Sequence, residues 1–305
     1  MTPTLRTEFT GRTAVITGAA SGFGLETARL AARQGMNVVM TDVMAEALEA
    51  AGRDVAALGG TVMTHRADVR HADAIEGLAA ATCARFGTPH LVFNNAGVST
   101  GGLVWEHTEK EWDWVLGVNL RGVVHGVRVF TPLMLAAERA DPAFRGHIVN
   151  TASMAGLLNA PNMGAYNVSK HAVVSLSETL YQDLQLVSER VHAHVLCPYF
   201  VPTGIIHSDR ARPADARADA PPTASQQVAQ RFGEKAVSSG KVTAAEVAQK
   251  VFDALAARHF YIYSHPQALA AVMTRAEDIL RGDCPSDPYR ERPELGAALR
   301  AALRG

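Results

Sequence analysis

Cysteine is scarce: Cys83, Cys197 and Cys284 lie far apart in a chain of 305 residues. That spacing excludes a disulfide framework and a zinc knuckle, and leaves buried or inert thiols in a reducing compartment. A charge excess is also missing. The formal net charge is -1 and no basic stripe stands out, so nucleic acid is not an expected partner. No apolar run approaches the roughly 18 residues that a spanning helix needs. The most apolar stretch, residues 115–137, is broken by Asn119, Arg121, His125 and Arg128. Residues 1–12 carry no hydrophobic core of a leader peptide, so the reading is cytoplasmic, with no membrane partner. The histidines, among them His65, His71 and His194, are scattered without ligand spacing, and no metal is expected. What remains is 48% apolar and 19% charged, a composition suited to one large packed core.

Short apolar runs alternate with longer amphipathic ones. The runs at 13–17, 37–41, 61–64, 90–94, 147–151, 192–197 and 260–263 predict buried strands. Helical periodicity predicts helices at 22–34, 45–58, 72–86, 109–139, 165–190 and 244–258. Two of them start with capping boxes, Thr108 with Glu111 and Thr243 with Glu246. Such alternation predicts an α/β chain: a single doubly wound, Rossmann-type, mostly parallel sheet with helices on both faces. Ligands then bind at the carboxyl ends of the strands. The whole of 1–305 reads as one dinucleotide-binding catalytic domain. Within it, 199–240 is Pro-punctuated and reads as a substrate loop or lid with a short helix near 225–237. Residues 266–305 read as a C-terminal extension: a helix to Arg281, a turn-rich piece and a last short helix.

The first predicted strand runs into Thr17-Gly18-Ala19-Ala20-Ser21-Gly22-Phe23-Gly24. Glycine permits a tight turn and close approach to a pyrophosphate, and the following helix offers free N–H groups and the positive end of its dipole. Gly18, Ser21, Gly22, Phe23 and Gly24 are therefore candidate cofactor residues. Asp42 ends the second strand, where a carboxylate can accept from ribose hydroxyls and would repel a 2′-phosphate. Neither Ser21 nor Val43 supplies a cation there, which favours NAD(H) over NADP(H). Asp68 and Val69 are candidates for the adenine, the carboxylate for its amine and the valine for its face. Tyr166 and Lys170 stand four apart, on one face of a helix. An ammonium near a phenol favours the phenolate, so Tyr166 is expected to have a lowered pKa and to transfer protons.

These pieces together resemble a short-chain dehydrogenase/reductase. The matching motifs are Thr17-Gly18-x-x-x-Gly22-x-Gly24, Asp68-Val69, Asn94-Asn95-Ala96-Gly97, Asn119-x-x-Gly122, Ser153 and Tyr166-x-x-x-Lys170, in the family's order over about 10–265. The resemblance implies that Asn94 to Gly97, with Asn95, Ala96 and Gly97 as cofactor residues, lie under the adenine ribose and support the central strands. It implies that Asn119 interrupts its helix and holds a water leading to Lys170. Ser153 would hydrogen-bond the substrate oxygen, Tyr166 pass the proton, and Lys170 bind the nicotinamide ribose. Pro198 and Thr203 fit the family pattern after the sixth strand, with Thr203 near the carboxamide. The chain departs from that pattern at Tyr199, where the family usually has glycine. Tyr199 and Phe200 either wall the substrate pocket or pack into the core.

The expected activity is reversible hydride transfer between NAD and a secondary alcohol or ketone. Leu157, Leu158, Met163, Tyr199, Phe200, Ile205 and Ile206 suggest a hydrophobic or aromatic small-molecule substrate. The alternatives are an NADPH-dependent ketoacyl-type reductase and a catalytically silent dinucleotide-binding scaffold. The two long helices at 109–139 and 165–190 are apolar on more than one face, so a homodimer or homotetramer is expected.

Overall fold

β1 (Thr13–Thr17) is buried at every position, as its unbroken apolar run requires. Its neighbours alternate between two packed layers. Ala14 and Ile16 join one cluster with Met40, Phe93 and Phe252, while Val15 joins another with Val39, Val92 and Ile148. That period of two is what a strand with helices on both faces demands. The computed structural model describes residues 8–217 and 220–304. Residues 1–7, part of the segment read for a leader, lie outside the described residues, as do 218, 219 and 305.

The other strands are β2 (Asn37–Thr41), β3 (Val62–Thr64), β4 (Leu91–Asn94), β5 (Gly146–Thr151), β6 (Val191–Cys197) and β7 (Tyr261–Tyr263). They pair in the order β3-β2-β1-β4-β5-β6-β7. Every pairing is parallel, so the expectation of a mostly parallel sheet becomes a fully parallel one among the described residues. The strand order reverses between β1 and β4, which opens a crevice at their carboxyl ends.

The helices are α1 (Gly22–Arg33), α2 (Ala45–Ala56), α3 (Ala72–Phe86), α4 (Glu109–Leu116), α5 (Gly122–Ala140), α6 (Gly164–Val187), α7 (Ala224–Ser238), α8 (Ala244–Ala257), α9 (Leu269–Arg281) and α10 (Pro293–Arg304). Both expected capping boxes are present, and a third, Thr223 with Gln226, opens α7. The helix expected over 109–139 is divided: a π-helical turn, Gly117–Arg121, separates α4 from α5. The segment 199–240 carries the short helix expected near 225–237, and further structure before it. It contains 3-10 turns at Gly204–Ala211 and Ala214–Ala216, followed by α7.

Candidate active site

The turn after β1 carries out two tasks with its glycines. Gly18 takes φ +64°, and a Cβ there would lie 2.8 Å from Ala96 Cα, so the turn and the 94–97 loop approach as backbone against backbone. Gly24 faces inward: a Cβ would lie 2.3 Å from Gly18 O, so its role is to let α1 close on the turn. It does not line the cleft, unlike Gly18, Ser21, Gly22 and Phe23. Ser21 caps α1 without a side-chain hydrogen bond, which leaves the first N–H groups of that helix free for an anion.

Thr17 binds the two crevice strands together. Its hydroxyl accepts from Asn95 N at 2.8 Å and Ala96 N at 2.9 Å, while Asn95 Nδ2 donates to Thr17 O at 2.9 Å. Asn94 points away from the cleft and donates to Asn150 Oδ1 at 2.9 Å in the buried middle of the sheet. Asn95, Ala96 and Gly97 line the cleft.

At the end of β2, Asp42 lines the cleft and accepts from Ala20 N at 3.2 Å and Met44 N at 3.1 Å. Ordered in this way, its carboxylate keeps lone pairs free for ribose hydroxyls. Arg66, which sequence reasoning missed, donates from Nε to Val43 O at 3.1 Å beside it. Asp68 and Val69 also line the cleft, but Asp68 is already paired: Arg70 Nε and Nη2 reach its Oδ2 at 3.0 and 2.9 Å. The same guanidinium reaches Asp215 at 3.0 Å, across 145 residues of chain. The carboxylate assigned to the adenine amine therefore holds an arginine that ties down the 204–216 segment.

The catalytic candidates meet on the far side of the crevice. Ser153, Tyr166 and Lys170 line one wall. Lys170 is buried, donates from Nζ to Thr151 O at 2.8 Å and stands 5.7 Å from the Tyr166 ring centroid. Burial pushes its pKa down to about 8. Tyr166 departs from expectation. Burial raises the phenol pKa above its ordinary value, while the hydrogen bond with Ser153 lowers it, and burial prevails. The ammonium lies over the ring, where it stabilises the neutral ring face as well as the phenolate, so it does not produce the expected depression by itself. Ser153 Oγ accepts from Ala155 N at 3.1 Å, which fixes its position at the strand end.

Asn119 sits in the π-turn, fully buried and off the cleft wall. It interrupts the helix as expected. Its Oδ1 accepts from Val98 N at 2.8 Å, and its Nδ2 donates to Val98 O and Ser169 Oγ, both at 3.0 Å. These bonds consume the amide, so its contact with the cleft is indirect: a Cβ on Gly97 would lie 3.5 Å from Asn119 Oδ1 and 3.6 Å from Lys170 Nζ.

Pro198, Tyr199, Phe200 and Thr203 all line the cleft. The aromatic pair is 44% and 37% exposed with ring centroids 4.4 Å apart, so it walls the pocket and does not pack into the core. Leu158, Met163, Ile205 and Ile206 line the same space, whereas Leu157 packs inward beside Ala152 and Met154. The C-terminal extension closes the outer end, a contribution that no motif announced. Ile279 of α9 and Tyr289, Arg292 and Leu295 line it, and α10 packs on α7. The continuous cleft encloses about 2130 Å³. Cys197 is buried and its thiol pKa is pushed up to about 12, while Cys83 is half-buried and Cys284 exposed. Among the described residues no cluster fits a metal ion, and no helix is long and apolar enough to cross a membrane.

A glycine turn under a free helix end, a carboxylate at the end of β2 and a Ser-Tyr-Lys wall fit a nicotinamide dinucleotide. Comparison with known proteins agrees. The profile of the short chain dehydrogenases matches residues 12–214. A "CLA biosynthesis dehydrogenase/reductase" of Lactiplantibacillus plantarum is 31% identical over 282 residues, covering 91% of this chain and 96% of the relative. A "1-deoxy-11-beta-hydroxypentalenate dehydrogenase" of Streptomyces exfoliatus is 33% identical over 272 residues, covering 88% of this chain and 89% of the relative. A solved short chain dehydrogenase/reductase from Burkholderia phymatum in complex with NAD has a TM-score of 0.89 at 50% identity, covering 92% of this chain and 98% of that one. With its sheet order, its crevice and this profile in agreement, the chain belongs to the short-chain dehydrogenase/reductase family of oxidoreductases.

Proposed function

We propose that the protein is an NAD(H)-dependent oxidoreductase that interconverts a secondary alcohol and its ketone, on a hydrophobic or aromatic substrate. The observation that carries this reading is the convergence of Ser153, Tyr166 and Lys170 on one cleft wall, with Lys170 Nζ 5.7 Å from the Tyr166 ring. The glycine turn, Asp42, Val69, Asn95 to Gly97, Pro198 and Thr203 would hold the dinucleotide along the crevice. An oxidised nicotinamide bound there would supply the hydride acceptor and a positive charge beside the phenol. Tyr166 Oη takes the proton of the substrate hydroxyl in oxidation and returns it in reduction. Ser153 donates to the substrate oxygen, where negative charge develops, and that bond strengthens as the charge grows. Proton transfer of this kind accounts for roughly a hundred- to ten-thousandfold in rate. Lys170, anchored on Thr151 O, holds its charge near the phenol and offers donors to the ribose. In the protein alone burial keeps the phenol in its acid form; the positive charge of a bound oxidised nicotinamide would favour the phenolate.

Relatives named as dehydrogenases support the reaction class, and Tyr199, Phe200, Leu158 and Ile206 support an apolar substrate. The same reading puts the enzyme in the cytoplasm as a homodimer or homotetramer. Val168, Leu186 and Val187, exposed on α6, favour such an association. One observation favours the NADPH-dependent ketoacyl-type alternative: Arg66 brings a cation to Val43, next to the ribose position. Asp42 weighs against it, because its carboxylate lines the cleft itself and Arg66 does not. Absorbance at 340 nm across a panel of aliphatic and aromatic secondary alcohols, with NAD and with NADP, decides. The expected outcome is turnover of apolar alcohols with NAD well ahead of NADP, and an Asp42→Ala variant that narrows the gap. Equal wild-type rates with the two cofactors would overturn the Asp42 argument.

A further inference from the structure

The segment after Thr203 crosses the cofactor half of the cleft before the chain reaches α7. Thr203 lies over the glycine turn, since a Cβ on Gly22 would touch its side chain at 3.5 Å. From there three ties run back to the sheet crevice. Ser208 Oγ accepts from Ser99 N at 3.0 Å, the Arg212 guanidinium stacks 4.1 Å above the Trp114 ring, and Asp215 pairs with Arg70. These ties make 204–216 a strap across the crevice, and they leave one side chain over. Arg210 lies flat across Gly204, where a Cβ would meet its guanidinium carbon at 2.9 Å and its nitrogens closer still. It extends Nη2 to Ser21 Oγ, the cap of α1, at 3.4 Å. Its neighbour Asp209 is taken by Arg212 Nε at 3.0 Å, so Arg210 has no carboxylate partner among the described residues. It lines the cleft beside Ser21, Gly22 and Thr203.

We propose that Arg210 binds the diphosphate of the dinucleotide, clamping it from the strap against the free N–H groups at the start of α1. This inference rests on the dinucleotide reading of the glycine turn. A helix N-terminus supplies donors from one side, and a planar guanidinium supplies a two-pronged donor set from the other. The bond to Ser21 Oγ is long and weak, so a phosphate oxygen replaces it at little cost. Gly204 has a reason to be glycine here, because any side chain would displace the guanidinium. The clamp acts on the group that NAD and NADP share, so it sets affinity and leaves the choice between them to Asp42.

Fluorescence titration with NADH, and competition by ADP-ribose and by adenosine, test the proposal with the full chain and without turnover. Arg210→Gln is expected to weaken NADH and ADP-ribose by the same factor, roughly ten- to a hundredfold, with adenosine unchanged. Arg210→Lys recovers part of that loss, and raising the salt weakens wild-type binding more steeply than it weakens the Gln variant. Because Arg210 is exposed, both variants should melt like wild type without ligand, which separates binding from folding. Equal NADH affinity in Arg210→Gln, or an equal loss for adenosine, overturns the clamp while wild-type binding leaves the dinucleotide reading of the glycine turn standing. A wild-type chain that binds neither NADH nor ADP-ribose overturns both.

Discussion

Lys170 shows how burial and function pull on one residue. The ammonium is nearly sealed from water and has one neutral acceptor, Thr151 O, so the folded chain releases its proton near pH 8 where a free lysine holds it to about 10.5. Between those values the unfolded chain binds the extra proton, so stability rises with pH across that window. The cost of burying the charge is therefore present in full below pH 8 and fades toward 10.5. Lys170→Met never carries this cost. Wild type is expected to gain on the variant by up to about 3 kcal/mol as pH rises through the window. Urea unfolding of both proteins at pH about 7.5 and about 10 measures the difference; a constant gap contradicts it. At this scale the sequence identified which residues assemble but not their state. Tyr166-x-x-x-Lys170 was legible, whereas the rise in the phenol pKa comes from burial by residues distant in the chain. The pairing of Asp68 with Arg70 was adjacent in sequence, yet its extension to Asp215 depends on where the strap falls.

Among the elements, β5 and β6 carry a feature far from the chemistry. His147 on β5 and His194 on β6 are buried with Nδ1 and Nε2 3.0 Å apart, and His194 Nδ1 is 2.7 Å from His259 O. A carbonyl can only accept, so His194 donates from Nδ1 and accepts at Nε2 from His147, and both rings are neutral. Burial and the neighbouring ring push His147 well below the usual histidine range, and burial takes His194 down to about 4. Protons therefore bind the unfolded chain first, and stability is lost as pH falls from 6.5 toward 4. His194→Gln is expected to flatten the pH dependence of unfolding by roughly one proton, about 1.4 kcal/mol per pH unit, over that range. The same slope in wild type and variant would refute the neutral pair. Strand and helix positions were legible because runs of apolar residues and capping boxes act locally. The π-turn at Gly117–Arg121 was not, because it is held by Asn119 bonding to Val98 and Ser169, contacts that periodicity cannot report.

Over the whole molecule, the strand reversal at β1 and β4 positions the crevice, and everything that closes it comes from later in the chain. The strap, α7 and the C-terminal extension all line it. The sequence read 199–240 as a substrate lid with one short helix; folded, it divides into a strap at 204–216 and α7, both of which line the one cleft. That division was invisible because its cause is an ion pair, a cation–π contact and a serine hydrogen bond made across 98 to 145 residues of chain. The central claim is that Tyr166 carries the proton beside a bound nicotinamide. Its most direct test pairs two readouts on Tyr166→Phe: NADH formation from an apolar secondary alcohol at 340 nm, and NADH affinity by fluorescence. Affinity is expected to stay near wild type while turnover falls by at least about a hundredfold. Wild-type turnover in the variant would contradict that claim.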